Sequence, residues 1–364
     1  SERFWRIAEN FIALAVKRGI NMMLTPIHTP PLDTGVGGER MTCQLVDVKL
    51  REGRYEFGFD RLRRWVEMCR RCGVEYFEMA HLFTQWGARC APKIVAEVDG
   101  AERRIFGWDV SAQSAAYKAY LDAFLPALTG ELRRLGIAER CYFHISDEPG
   151  AEDLADYAAA KALAAPHLAG FTIIDALSDF SFYQRGVVAK PIPANDHIQP
   201  FLDAGVPNLW TYYCVGQYKD VSNLFIAQPS QRNRVFGAQL YKFRIEGILQ
   251  WGYNFYNSQN SLYAVDPFAT TDGDGFVPGG DPFQVYPGAD GRPLESMRLM
   301  VTQQALCDLR AFEWLEELAG REKVLALIEE GLDGPLTFSR YPHADAYLLN
   351  LRHQVNREIV ARAR

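Results

Sequence analysis

The sequence predicts an α/β fold: a (β/α)8 TIM-type barrel with a β-hairpin inserted after its first strand and a helical extension at its carboxyl end. Three observations carry that expectation. About eight strand signals alternate with helix-period segments, the pattern of parallel strands joined by helical crossovers. The 364 residues suffice for one barrel of about 250 residues with additions. No repeat at solenoid period and no low-complexity linker divides the chain, so residues 1–364 read as a single domain.

Each element follows from local pattern. Residues 3–18 place Phe4, Ile7, Phe11, Leu14 and Ala15 at helical spacing, and Gly19 supplies a stop. Residues 21–27 read as a buried strand. Residues 42–58 alternate in period two about Glu52-Gly53, which is the hairpin insertion. A helix over 60–71 carries Leu62, Trp65, Val66 and Cys69 on one face and ends at Gly73. The second strand, 74–80, leads to His81 and a loop reaching about residue 110, which holds Trp86 and Trp108 and whose length favours a functional role. A helix over 111–135, interrupted near Pro126 to Gly130, precedes the strand that begins at Cys141. After it come a helix (151–165), a strand (171–177), a weaker strand (186–189), a strand (208–215) with Trp210, Tyr212 and Tyr213, and a helix (230–245). Gly247 leads into a strand-like run to Tyr256, residues 266–282 form a loop rich in Gly, Asp and Pro, and a brief strand covers 283–286. Helices over 294–318, 322–330 and 348–363 make the extension.

Composition narrows the classes. The 39 basic and 45 acidic residues give a net charge of -6 without long runs, so nothing points to nucleic acid or an anionic membrane as partner. No segment reaches the roughly 18 to 20 apolar residues of a membrane span. The seven cysteines are scattered, and Cys69 and Cys72 form the one close pair. With no second pair to complete a zinc site, core packing and reduced thiols of a cytoplasmic protein are expected. No signal peptide is evident, but the chain opens at Ser1 almost directly on a helix, as a trimmed product would, which leaves export open. Oligomeric state is not legible.

The stretch Cys141-Tyr142-Phe143-His144-Ile145-Ser146-Asp147-Glu148-Pro149-Gly150 is an apolar run that ends in two adjacent acids. At the carboxyl end of a barrel strand they would face the active-site mouth. Neighbouring strand side chains point to opposite faces, so both acids reach one pocket only if the strand stops, and Pro149 stops it while pushing Glu148 toward extended geometry. The plainer alternative is that Asp147 caps the next helix. His28, His81, Asp147, Glu148, Asp175, Asn195, Tyr212, Tyr213, Trp251, Asn254 and Tyr286 all fall near strand ends, a rim suited to a sugar. Taken singly, an aromatic near a strand end is more often core. The histidines lack metal-site pairings such as His-x-His, so a satisfied His144, or one orienting a carboxylate, outranks a ligand.

Three ordered segments resemble a known family. His144-Ile145-Ser146-Asp147-Glu148-Pro149, Gly247-Ile248-Leu249-Gln250-Trp251-Gly252-Tyr253-Asn254 and Gly280-Asp281-Pro282-Phe283-Gln284-Val285-Tyr286-Pro287-Gly288 resemble the landmarks of the domain of unknown function 4091. That domain is similar to the catalytic barrel of glycoside hydrolase family 123, the β-N-acetylgalactosaminidases. The resemblance implies a single catalytic barrel and a retaining exo-β-N-acetylhexosaminidase. In it the substrate's own acetamido oxygen is the nucleophile and no cofactor or metal takes part. Asp147 would hold the acetamido N–H, and Glu148 would protonate the leaving oxygen and later activate water. Ordinary retaining enzymes need two carboxylates about 5 Å apart across the sugar, so sequence-adjacent acids fit the substrate-assisted exception. His81, Tyr212, Tyr213, Trp251, Asn254, Asp281 and Tyr286 would bind a carbohydrate or glycoconjugate, with a tyrosine on the acetamido carbonyl and Trp251 as floor. The chain departs from the pattern in two places: the family's usual amino-terminal β-sandwich is absent, and the family tends to an acid where this chain has Met300. A catalytically silent carbohydrate-binding barrel is therefore a second expectation, and a metal-dependent sugar isomerase or hydrolase on His28, His81 and Glu148 a third.

Overall fold

The computed structural model describes residues 1–363. The chain divides into two compact units, one comprising Ser1–Pro191 with Asn257–Tyr263, the other Ile192–Tyr256 with the chain from Ala264 onward.

In the first unit, α1 (Glu2–Lys17) starts at Ser1, whose hydroxyl accepts the Phe4 N–H, and buries Phe11, Ile12 and Ala15. The strands that follow are β1 (Met22–Thr25), β2 (Asp47–Arg51) and β3 (Arg54–Gly58). Helix α2 (Asp60–Cys72) ends on Gly73 at φ +95°, a left-handed cap that glycine takes without a Cβ clash. Then come β4 (Tyr76–Met79), β5 (Ile94–Val98), β6 (Ala101–Phe106), α3 (Ala115–Arg134), β7 (Cys141–Phe143), α4 (Leu154–Ala164), β8 (Thr172–Ile173) and β9 (Asp175–Ala176). A short α5 (Ser181–Gln184) and a two-residue β10 (Pro191–Ile192) close the series. The expected strand at 186–189 is turn instead.

Strands β1, β4, β7 and β8 pair in that order as a parallel ladder, with Met22 opposite Tyr76, Phe77 opposite Cys141 and Tyr142 opposite Thr172. The helices between them make the βαβ crossovers that parallel pairing requires. The core of this unit runs from Ile12 to Val188 and includes Phe77, Phe83, Phe124, Phe143 and Tyr157. Helix α3 does not break at Pro126. It runs through the proline with one face of Tyr117, Tyr120, Leu121, Phe124, Leu125, Leu128 and Leu132 buried, and that apolar area outweighs the lost hydrogen bond.

The hairpin insertion is present but larger than expected. Strands β2 and β3 turn at Glu52 and Gly53, both at positive φ, and β5 joins β2 in parallel and β6 in antiparallel, giving a four-stranded sheet β3-β2-β5-β6. The second hairpin, residues 94–106, lies within the stretch expected to be loop.

The second unit contains α6 (Gln199–Asp203), β11 (Trp210–Tyr212), α7 (Ser230–Arg234), α8 (Phe236–Lys242) and β12 (Gly247–Leu249), with β11 and β12 parallel. The run to Tyr256 is ladder only in its first three residues. Strands β13 (Val285–Pro287) and β14 (Pro293–Glu295) form a hairpin, after which α9 (Met297–Ala319), α10 (Arg321–Glu329) and α11 (Asp345–Arg362) make the expected helical extension. A separate core joins α8 to these helices through Tyr241, Phe312, Leu315, Val324 and Leu351. The sheets among the described residues are small, and none closes on itself.

Contact between α8 and α9 is backbone against backbone. A Cβ at Gly237 would stand 2.1 Å from the Ala305 carbonyl oxygen. Gly237→Ala is therefore expected to force the helices apart and to lower stability by about 1–3 kcal/mol, read as a lower urea midpoint.

Candidate active site

Past β7 the chain stays extended and is held on both sides. The His144 and Ile145 carbonyls accept the N–H groups of Leu82 and Phe83, each at 3.0 Å, and the Ser146 hydroxyl donates to the Thr84 carbonyl at 2.8 Å. On the other side the buried Asp175 carboxylate accepts the N–H groups of Ile145 (3.0 Å) and Ser146 (3.3 Å). The Asp147 carbonyl takes the Trp86 N–H at 2.9 Å, and the Glu148 N–H donates to the Ala176 carbonyl at 3.0 Å.

Glu148 sits at φ +44°, in the left-handed region that a side chain enters only at a cost of order 1–3 kcal/mol. This corrects the extended geometry expected before Pro149. The left-handed residue breaks strand alternation, leaving Asp147 half-buried and Glu148 exposed. Capping of the next helical turn falls to Gly150, whose N–H is taken by Asp153 at 3.1 Å, so Asp147 is free of that duty.

Behind the acids lies a buried histidine–carboxylate network. His144 places Nε2 2.9 Å from the Glu78 carboxylate and Nδ1 3.3 Å from Asp175. Burial alone would lower the His144 pKa, but the two carboxylates together outweigh it and push it up to about 10. Asp175 also accepts from the Tyr157 hydroxyl, yet burial leaves its carboxyl raised. The His81 ring stacks on His144 at 4.1 Å, and His28 reaches the His81 carbonyl at 2.7 Å through Nε2. Burial lowers His28 to about 4, and burial together with the neighbouring His144 charge lowers His81 well below its ordinary value. The network is thus one imidazolium flanked by two neutral imidazoles.

Asp147 is the acid that this surrounding perturbs. Burial first, then the Glu148 charge, with smaller contributions from Asp175 and Glu78, raise its pKa well above the usual carboxylate range, while the His144 imidazolium opposes them.

His81, His144 and Asp175 bring donor atoms within 4.8 Å of one another, the spacing of a metal site. Ring geometry argues against one. A ligating nitrogen points at its ion in the ring plane from about 2 Å, and two rings stacked 20° from parallel do not aim at one point. His28, committed to the His81 carbonyl, and exposed Glu148 do not belong to this group.

In the second unit the Trp251 and Asp281 landmarks meet. Gln284 N–H donates to the Tyr253 carbonyl (2.8 Å), Phe255 N–H donates to the Pro282 carbonyl (3.0 Å), and Asn254 bridges Phe283. Gly252 is required here, since a Cβ would stand 1.9 Å from the Asp281 carbonyl oxygen. The exposed Trp251 donates Nε1–H to the buried Asp281 carboxylate at 3.3 Å. Burial raises Asp281 to about 7 against the lowering effect of that bond and of Arg298. Arg298 in turn donates to the Gly280 carbonyl and bonds the Tyr286 side chain.

Of the residues expected from sequence, Asp147, Glu148 and His81 gather in the first unit, with His81 buried rather than on a rim. Neither of its ring nitrogens has a hydrogen-bond partner among the described residues. Trp251, Asn254, Asp281 and Tyr286 gather in the second. Tyr213 is buried, packs on Phe236 and reaches the Asn233 side chain at 3.4 Å; burial and the nearby Asp281 charge raise its hydroxyl. Tyr212 is buried within β11. Sequence reasoning missed Glu78 and Arg298. A lone acid inside the apolar strand Tyr76-Phe77-Glu78-Met79 was a usable signal.

The family model for the glycoside hydrolase 123 catalytic domain matches residues 1–315. A solved family 123 glycoside hydrolase from Clostridium perfringens, studied for glycolipid glycan hydrolysis, is similar at TM-score 0.67 and 15% identity, covering 99% of this chain and 64% of that one. A GH39 enzyme from Xanthomonas axonopodis pv. citri is similar at TM-score 0.50 and 11% identity, covering 86% of this chain and 64% of its own. Likeness at such identities concerns the fold. The chain thus spans less than two thirds of the length of either. No curated protein matches it. No helix is long and apolar enough to cross a membrane among the described residues, and all seven cysteines are unpaired. With residues 1–315 matched, the chain belongs to the glycoside hydrolase 123 catalytic domain family.

Proposed function

We propose that the chain is a glycoside hydrolase of the retaining exo-β-N-acetylhexosaminidase type, N-acetylgalactosaminidase-like, using substrate-assisted catalysis. The observation that carries this reading is the adjacent Asp147 and Glu148 on the segment that follows β7, with Glu148 in a left-handed conformation and Asp147 raised. Backbone strain and a perturbed carboxyl at one point are the signature of a site organised for chemistry.

In the proposed reaction the acetamido oxygen attacks the anomeric carbon as the glycosidic C–O bond breaks. Glu148 passes its proton to the departing oxygen, and Asp147 accepts the acetamido N–H of the oxazolinium. Water then adds to the anomeric carbon, giving its proton to Glu148 and regenerating the acetamide. Asp147 suits this role because its raised carboxyl lacks a strong donor, which the acetamido N–H supplies. In the second unit the Trp251 ring beside Asp281, with Arg298 and Tyr286, supports carbohydrate contact there, and Tyr212, Tyr213, Asn254 and His81 remain proposed sugar-binding residues. The parallel ladder is proposed as the first part of a (β/α)8-type barrel, and the three ordered segments are proposed to be those of the domain of unknown function 4091.

The test is hydrolysis of aryl β-glycosides of N-acetylgalactosamine and N-acetylglucosamine beside an aryl β-galactoside. Turnover of an acetamido sugar only, with β-anomeric product by NMR, is expected. Cleavage that ignores the acetamido group, or none of any acetamido sugar, overturns the reading.

A further inference from the structure

A cavity apart from the two acids lies in the first unit, between the loop that follows β1 and the segment around β5 and β6. Shallow and open to solvent, it is lined by Thr29, Glu39, Arg40, Lys93, Arg104 and Trp108 among others, and by none of the residues expected to act on the sugar.

The charges in the cavity are unbalanced. Lys93 and Arg104 share Glu39, at 2.5 and 3.5 Å, and Arg104 also pairs with Asp109. Arg40 has no ion-pair partner within 4.0 Å among the described residues; its one hydrogen bond, at 2.8 Å, goes to the Leu32 carbonyl. Half-buried guanidinium groups ordinarily carry a carboxylate, because a desolvated charge without one is costly. Burial accordingly lowers the Arg40 pKa despite the nearby Asp33 charge. Trp108 adds an aromatic wall of the kind that takes the apolar face of a sugar ring.

The cavity is tied to the acid pair through shared loops of this unit. Thr29 follows His28, which reaches the His81 carbonyl. Gln85 holds the other side, accepting the Asp33 N–H at 2.9 Å and donating to the Thr34 carbonyl at 3.2 Å, and its neighbour Trp86 donates to Asp147.

We propose that this cavity binds the anionic substituent, a carboxylate or a sulfate ester, of an acidic glycan, with Arg40 as the principal ligand and Trp108 against the sugar ring. The ligand class rests on the glycosidase reading above. A planar, forked guanidinium suits either oxyanion.

Calorimetric titration at low ionic strength would use N-acetylgalactosamine, N-acetylgalactosamine 6-sulfate, and an unsulfated chondroitin disaccharide that carries a carboxylate. At least one anionic probe is expected to bind about tenfold or more tightly than the neutral sugar, and to weaken as salt is added. Which probe gains identifies the oxyanion. Arg40→Gln is expected to remove the preference without changing affinity for the neutral sugar, Arg40→Lys to keep part of it, and a circular dichroism melt to establish that each variant folds. Should Arg40→Gln not fold, Lys93→Gln takes its place and must lower the preference. Equal affinity for all probes, no binding of the anionic ones, or a preference that survives in the folded variant overturns the proposal. Turnover of neutral acetamido glycosides without anion preference defeats the cavity and spares the glycosidase reading; anion preference without turnover does the reverse.

Discussion

Glu148→Gln is expected to lower kcat/KM by about 10²–10⁴-fold on an alkyl 2-acetamido-glycoside, whose leaving oxygen must be protonated as it departs. On an aryl glycoside with an acidic phenol the loss should be smaller, since that leaving group needs little help. Asp147→Asn is expected to behave differently, with a loss of similar size on both substrates, because the acetamido group attacks whatever the leaving group is. The double variant should be hardly worse than the poorer single one, as for residues that act as a unit. Steady-state kinetics on the two substrate classes decides the assignment. If leaving-group ability changes both single variants alike, Glu148 is not the acid.

The two acids are assigned different roles because their surroundings differ, and only part of that difference was legible in the sequence. The ladder ends at Phe143 and not, as expected, at Pro149, but a strand in this stretch and the adjacency of the acids could be read directly, since they depend on neighbours along the chain. The left-handed turn at Glu148 could not, because a residue before proline ordinarily extends; here the Glu148 N–H is drawn to the Ala176 carbonyl of another strand. Glu78 shows the same limit, since its pairing with His144 joins residues 66 positions apart through the β4–β7 register. Other misses were local. Asp99-Gly100 flanked by Ile94–Val98 and Ala101–Phe106 is a strong two-residue hairpin signal, and both residues take the positive φ that such turns demand. Reading the whole stretch as loop overlooked it. The regular eightfold pattern expected from strand counts reduced to short ladders for another reason: many strand-like runs are only two to three residues of true ladder, as at Thr172–Ile173 and Gly247–Leu249. Apolar content reports burial, not pairing.

The second large effect concerns pH. Under the proposed mechanism Asp147 works as a carboxylate, so kcat/KM should rise as Asp147 loses its proton, along an acid limb placed well above the ordinary carboxylate range. Of the charged groups that face it, Glu148, Asp175 and Glu78 are acidic and His144 alone is cationic. Replacing that cation by a neutral side chain of similar reach, His144→Gln, should therefore move the acid limb to higher pH rather than simply scale activity down. A unit shift corresponds to about 1.4 kcal/mol of lost interaction with the carboxylate. Stability supplies an independent reading of the same residue. The His144 pKa stands at about 10 in the fold, above its ordinary 6.5, so its contribution is fully present below pH 6.5 and is lost as pH rises through 10. Melting temperature of the unaltered protein should fall across that window, and His144→Gln should flatten the fall while lowering the whole curve, because Glu78 and Asp175 then lie buried without their cation. If the limb stays where it was while the curve drops, His144 serves the fold alone and Asp147 is set by burial and Glu148. If both move, the imidazolium is what keeps the acetamido-binding carboxylate within working range.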